Sequence, residues 1–192
     1  MITRVPDAQV HWFTGWVEST DSIPDDRFAR WIVLLHPGTT FVEDDRFPIQ
    51  SPNVEPAVDE DLSDEQAAVL DHVLLDYAGP DAICDFALYA GYFDEKDRGR
   101  SSGFLEPENT WYQGRLNYVL LSGELADCTF AAVRRRWGDV HFTELSYLWA
   151  RDHSWFLAST ADTCVTVVGC NDGLAAALLA EPLLNPHEWI RD

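Results

Sequence analysis

Three short apolar runs near the C-terminus constrain the fold more than any other feature. Glu144 to Trp149, Trp155 to Thr160 and Cys164 to Val168 are each rich in aromatic and β-branched residues, as half-buried strands are. The links between them are of hairpin length, with Ala161-Asp162 in the second turn. A parallel pair needs a crossover of a dozen or more residues, so links this short point to antiparallel pairing. Asn171 or Asp172 then caps a helix with Leu174, Leu178 and Leu179 toward the core, closed by Glu181-Pro182.

The rest of the chain extends this pattern. Gln9 to Val17 has the β-branched and aromatic content of a strand, and Arg27 to Gly38 runs apolar from Trp31 to Leu35 before stopping at Pro37-Gly38. Ser63-Asp64-Glu65-Gln66 is a capping box, with Ser63 as N-cap and Gln66 at N3. It opens a helix that carries Leu70, Val73, Leu74 and Tyr77 and ends at Gly79-Pro80. Ile83 to Phe93 reads as a strand with Cys84, Phe86 and Leu88 on one face and Asp85, Ala87 and Tyr89 on the other. Leu116 to Gly123 is the next strand, and Glu124 to Trp137 a helix with Leu125, Cys128 and Ala132 inward. Residues 43–62 form an acidic, Pro-containing connector and residues 94–109 a polar loop. The expected fold is α+β: a mainly antiparallel sheet with two or three helices packed on one face, as a single domain over residues 1–192.

Charge narrows the partners. The formal net charge is −20, and 12 of the 13 basic residues are Arg. Such a chain repels phosphate backbones and anionic lipid, which excludes generic nucleic-acid and membrane binding. No apolar run reaches the roughly 18 residues of a membrane span, and the start, MITRVPDAQVHWF, lacks the layout of a signal peptide. The expected location is cytoplasmic. There, Cys84, Cys128, Cys164 and Cys170, none of them in a C-x-x-C pair, read as small buried hydrophobes, Cys164 and Cys170 being the pair to watch. No metal and no cofactor are expected, since the phosphate-loop, dinucleotide and H-E-x-x-H motifs are all missing.

Several apparent motifs have plainer explanations. Gly99 to Gly103 matches G-x-S-x-G, but its flanks do not provide the strand and helix that a nucleophile elbow needs. Asp59, Asp61, Ser63 and Glu65 alternate like calcium ligands, yet Asp64 and Leu70 stand where the loop needs Gly and Glu. Arg134-Arg135-Arg136 point about 100° apart on a helix and suit its C-terminal dipole. Asp152, His153 and Ser154 are adjacent, so they cannot converge as acid, base and nucleophile. His153 reads as a turn or edge residue, and Trp155-Phe156-Leu157 as strand core.

Several blocks together carry a resemblance. Phe28, Trp31, His36 and Pro37 are followed by Tyr89, Gly91 and Tyr92, then by Tyr118 to Gly123 and Leu125. Leu148-Trp149, Asp152, Trp155, Ala158 and Thr160 precede Thr166, Val168 and Gly169. Over most of residues 27–190 the chain resembles a family of uncharacterised actinobacterial proteins, departing from its pattern at Ala150 and at Cys170-Asn171. The resemblance implies a fold and carries no activity.

Two functions follow as expectations. The first is a non-enzymatic, acidic protein-binding module, immunity- or antitoxin-like, that meets a basic protein through Glu43, Asp44, Asp45, Asp59, Glu60 and Asp61. Residues 1–66 hold 14 acids and 4 bases, so the surplus is concentrated there. The alternative is an enzyme or small-molecule binder whose pocket gathers His36, His141, His153, Trp149 and Trp155. Convergence of the histidines in a concave site discriminates the two.

Overall fold

The three C-terminal runs form an antiparallel meander at the centre of a nine-stranded sheet. The computed structural model describes residues 1–17, 26–40, 49–50, 62–89, 111–113, 117–137, 145–159 and 164–189. The strands are β1 (Thr3–Arg4), β2 (Arg30–Leu35), β3 (Thr39–Thr40), β4 (Ile49–Gln50), β5 (Ile83–Tyr89), β6 (Trp111–Gln113), β7 (Asn117–Glu124), β8 (Leu145–Ala150), β9 (Phe156–Ala158), β10 (Val165–Cys170) and β11 (Pro186–Glu188). The α-helices are α1 (Asp7–Val17), α2 (Asp64–Ala78), α3 (Leu125–Cys128), α4 (Phe130–Trp137) and α5 (Asp172–Leu179). The main sheet runs β7-β5-β8-β9-β10-β2-β11, with β1 and β6 on the outer edge of β7, while β3 and β4 pair separately. Every pairing is antiparallel. The α+β class is as expected.

Strand alternation sends different chemistry to the two faces. Cys84, Phe86 and Leu88 of β5, with Ile32, Leu34, Leu148 and Val168, join α2, α4 and α5 in a largely aliphatic core. Asp85 and Ala87 face the other way, where Val33, Tyr118, Tyr147, Trp149 and Phe156 meet α1. Each residue slipped in register would exchange these faces, which is why the pattern specifies the pairing. Gly169 of β10 leaves room for Phe28: a Cβ there would sit 2.5 Å from the ring.

The helix α1 corrects the strand expected over Gln9 to Val17. Its local β content is overridden by a stripe at i, i+3 and i+4: Gln9, Trp12 and Phe13 all meet the sheet. The carbonyl of Pro6 accepts from the N–H groups of Gln9 and Val10 (2.9 and 3.1 Å), which starts the helix. Among the described residues a helix therefore covers each face, with α1 alone on the aromatic one.

Helix α2 forms as its capping box dictates. Ser63 Oγ accepts from Gln66 N at 3.1 Å, and Gln66 Oε1 accepts from Ser63 N at 3.2 Å. The helix expected over Glu124 to Trp137 is instead two, α3 and α4, broken at Thr129. The break is stabilised by buried Asp71 of α2, whose carboxylate accepts from the N–H groups of Phe130 (2.8 Å) and Ala131 (2.9 Å). Burial outweighs these bonds and raises the Asp71 carboxyl above its ordinary range. In α5 Asn171 is the N-cap, accepting from Leu174 N at 3.1 Å. Leu174 and Leu178 are buried, but Leu179, expected inward, lies about 100° further round and is 39% exposed.

Candidate functional site

The connection Arg151–Ser154 between β8 and β9 holds the densest polar chemistry among the described residues. It is a four-residue hairpin loop closed by His153 N donating to Ala150 O (2.8 Å), with Ser154 N donating to Asp152 Oδ1 (2.9 Å). His153 takes φ 61°, a left-handed conformation in which His is enriched among non-glycine residues. It is a turn residue, as the sequence suggested.

Toward α1, the His153 ring stacks on Trp12, centroids 4.1 Å apart and planes 8° from parallel. Gln9 Oε1 accepts from both Trp149 Nε1 (3.1 Å) and His153 Nε2 (2.8 Å), and Gln9 Nε2 donates to Arg151 O (2.9 Å). An indole N–H can only donate, so the Gln9 amide has one consistent orientation. His153 Nε2 then carries its proton, and Nδ1 holds the lone pair in the neutral ring. Desolvation lowers the His153 pKa from the ordinary 6.5, against the opposing pull of Asp152 and Asp85.

Beside this hub Arg151 reaches across the sheet. Its Nε and Nη2 donate to Asp85 (3.2 and 2.7 Å), and Nη2 also to Ser122 Oγ. Asp85 is fully buried, so the guanidinium compensates a carboxylate that would otherwise be costly there. Donation to Asp85 is in turn the main reason the Arg151 pKa is raised.

On the other side of the hairpin lies an open groove of about 850 Å³, lined by Tyr77, Ile83, Ala150, Asp152, Ser154 and Trp155 among others. The end of α2 and the start of β5 form its second wall. Asn171 Nδ2 donates to the Tyr77 hydroxyl (2.6 Å) and fixes that ring at the rim. Asp152 is held below the usual carboxylate range, first by the Ser154 hydroxyl and then by the Ser154 N–H.

The described residues of the alternative pocket do not all gather. His36 is buried on the aliphatic face, where its Nε2 bonds Thr166 Oγ1 at 2.9 Å. Thr166 Oγ1 is hydrogen-bonded in turn to Ser159 Oγ (2.8 Å), so a buried polar chain, and not an open pocket, surrounds the ring. His153 lies on the opposite face and at the other end of β9. Trp149 joins His153 on the α1 side, whereas Trp155 belongs to the aliphatic core. His141 and the acidic set Glu43, Asp44, Asp45, Asp59, Glu60 and Asp61 lie outside the described residues, as do the connector 43–61 except Ile49–Gln50, and the loop 94–109. Nor do Asp152, His153 and Ser154 form a relay, because His153 is turned onto Trp12 while the other two line the groove.

Sequence reasoning missed Gln9, Trp12, Asp85 and Arg151 as parts of this site. An Asp inside an apolar strand was the one available signal, since a buried carboxylate needs a partner. Three other arginines are also matched: Arg4 with Asp7 (3.0 Å), Arg30 with Asp172 and Glu188 (2.9 and 2.5 Å), and Arg134 with Asp64 (2.6 Å). Among the described residues no group of His, Cys, Asp and Glu could hold a metal ion, and no helix is long and apolar enough to cross a membrane. Compared with known proteins, the chain matches no family model, no curated protein and no solved structure.

Proposed function

We propose that the chain is an acidic, non-enzymatic protein-binding module of the cytoplasm, immunity- or antitoxin-like in that it covers a basic protein partner. The observation that carries this reading is how the charge is spent. Arg4, Arg30, Arg134 and Arg151 are engaged with carboxylates of the chain itself. With 33 acids against 13 bases, this pairing leaves a surface whose surplus is negative. Such a field accelerates encounter with a cationic partner, makes association sensitive to salt and repels nucleic acid. The separation of His36 from His153 weighs against a pocket built on histidine chemistry. The acidic connector with Glu43, Asp44, Asp45, Asp59, Glu60 and Asp61 is the first contact surface to test.

The test is affinity capture of the tagged chain from its own cell lysate, at low and moderate salt, with mass-spectrometric readout. One basic protein enriched at low salt and progressively lost with salt is the expected result. Its absence at both salts, or recovery of an acidic partner indifferent to salt, overturns the reading. Neutralising Glu43, Asp44 and Asp45 together is expected to weaken capture and flatten its salt dependence.

A further inference from the structure

The groove between the β8–β9 hairpin and the end of α2 is not used by any part of the network just described. Its floor is apolar, from Ala78, Ala82, Ala150 and Trp155. Two large hydrophobic side chains stand open at its rim, Tyr77 at 37% and Ile83 at 43% exposure. Exposed apolar surface in a concavity of this size favours a ligand that buries it.

Charge at the rim selects the kind of ligand. Asp152 lines the groove; it is exposed, and among the described residues it is in no ion pair. Arg151, the one basic residue lining the groove among the described residues, does not offset it. Its guanidinium is committed to buried Asp85 and to Ser122, on the α1 side of the sheet. An anionic ligand would be repelled by Asp152, whereas a cation would pair with it.

We propose that this groove docks an extended or helical segment of a basic protein, an apolar side chain seated on Ile83, Tyr77 and Trp155 and a Lys or Arg beside it facing Asp152. The proposal rests on the protein-binding reading and gives it a second contact point. The apolar anchor supplies affinity, and the carboxylate supplies register and sign.

The probe is a synthetic peptide of alternating Leu and Lys, titrated into the full isotopically labelled chain and followed by amide NMR. Two peptides of equal length serve as comparisons, one of Gly and Lys and one of Leu and Glu. The Leu-Lys peptide is expected to shift Tyr77, Ile83, Asp152 and Trp155 together, the Gly-Lys peptide to bind more weakly, and the Leu-Glu peptide not to bind. Ile83→Ser is expected to weaken binding about tenfold. Asp152→Asn, which keeps the oxygen that accepts from Ser154 N, is expected to weaken it about two- to fivefold and to reduce its salt dependence. Glu65→Gln, at the far end of α2, should change nothing.

Shifts spread over the acidic surface without these four amides, or unchanged affinity in both groove variants, overturn the proposal. The two readings fail separately. If Ile83→Ser and Asp152→Asn leave capture of a basic partner intact, the groove is not its dock and the module reading stands. If the peptide binds the groove but no basic protein is captured, the groove stands and the module reading falls.

Discussion

The two faces of the sheet reach the same burial by different means. The aliphatic face is closed, among the described residues, by α2, α3, α4 and α5 around mostly aliphatic side chains. The opposite face rests, among the described residues, on the single helix α1 and is built from rings: Phe13 stacks on Trp149 at 5.0 Å, and Tyr147 lies edge-on to Phe13 at 5.1 Å. Aliphatic packing is non-directional and tolerates many helices at varied angles. Aromatic and indole groups need fixed geometry and polar partners, and here Gln9 supplies them. Helix α1 is thus held by specific ring and amide contacts, and the four helices of the other face chiefly by buried apolar area.

The largest expected effect tests that statement. Phe13 is fully buried against Tyr118, Tyr147 and Trp149, so Phe13→Ala should cost about 4 kcal/mol. The measurement is the shift in denaturation midpoint at constant slope. A loss below about 1 kcal/mol would mean that α1 is dispensable, and the contrast between faces would disappear.

On the aliphatic face the sharpest test is Asp71, a carboxylate buried beside it. Asp71→Ala leaves the N–H groups of Phe130 and Ala131 without their acceptor and should cost about 2–3 kcal/mol. Hydrogen exchange should accelerate first in α4. If it accelerates equally everywhere, Asp71 is not what separates α3 from α4.

Next in size is Gln9→Ala, which removes the shared acceptor of Trp149 and His153 and should cost about 1–2 kcal/mol. The indole N–H resonance of Trp149 should move upfield as its hydrogen bond is lost. An unchanged resonance would refute the hub.

What could be read from the sequence follows the same division between local and distant causes. The capping box at Ser63 and Gln66 is a contact over three residues, and the alternation of β5 is a property of one strand, so both were legible. Helix α1 was not, because Val10, Trp12 and Phe13 favour a strand locally and are turned into a helical stripe only by the sheet they meet. The break at Thr129 depends on Asp71, 59 residues from Phe130, and the His153 hub depends on Gln9, 144 residues away. Of the candidate site, the sequence indicated that Asp152, His153 and Ser154 diverge; it could not indicate that His153 would lie with Trp149 and apart from His36.

Thiol chemistry probes closure of the aliphatic face without altering it. Cys84, Cys128 and Cys170 are all in that core, and burial pushes the Cys84 and Cys170 thiols up to about 12 and raises Cys128 as well. Cys164 is only half-buried. An aromatic disulfide reagent applied to the native chain should therefore label Cys164 first and leave the other three until unfolding. Early labelling of Cys84 would show that the face opens without global unfolding.

The smallest effect belongs to His153, and its sign follows from desolvation. Burial against Trp12 lowers the pKa below its ordinary 6.5, so the folded state prefers the neutral ring. In the window between the two values the unfolded chain binds more protons than the folded one. The hub's contribution is therefore fully present above 6.5 and is lost as pH falls through the lower, folded value. Protonation leaves Nε2–H donating to Gln9 and adds a proton at Nδ1, so the cost lies in desolvating the new charge rather than in breaking the hub. An NMR titration of the ring should place its midpoint below 6.5 in the wild-type chain and nearer to 6.5 in a Trp12→Ala variant, where water reaches the ring. A midpoint above 6.5 in the wild type would mean that Asp152 and Asp85 outweigh burial, making electrostatics rather than stacking the dominant influence on the hairpin.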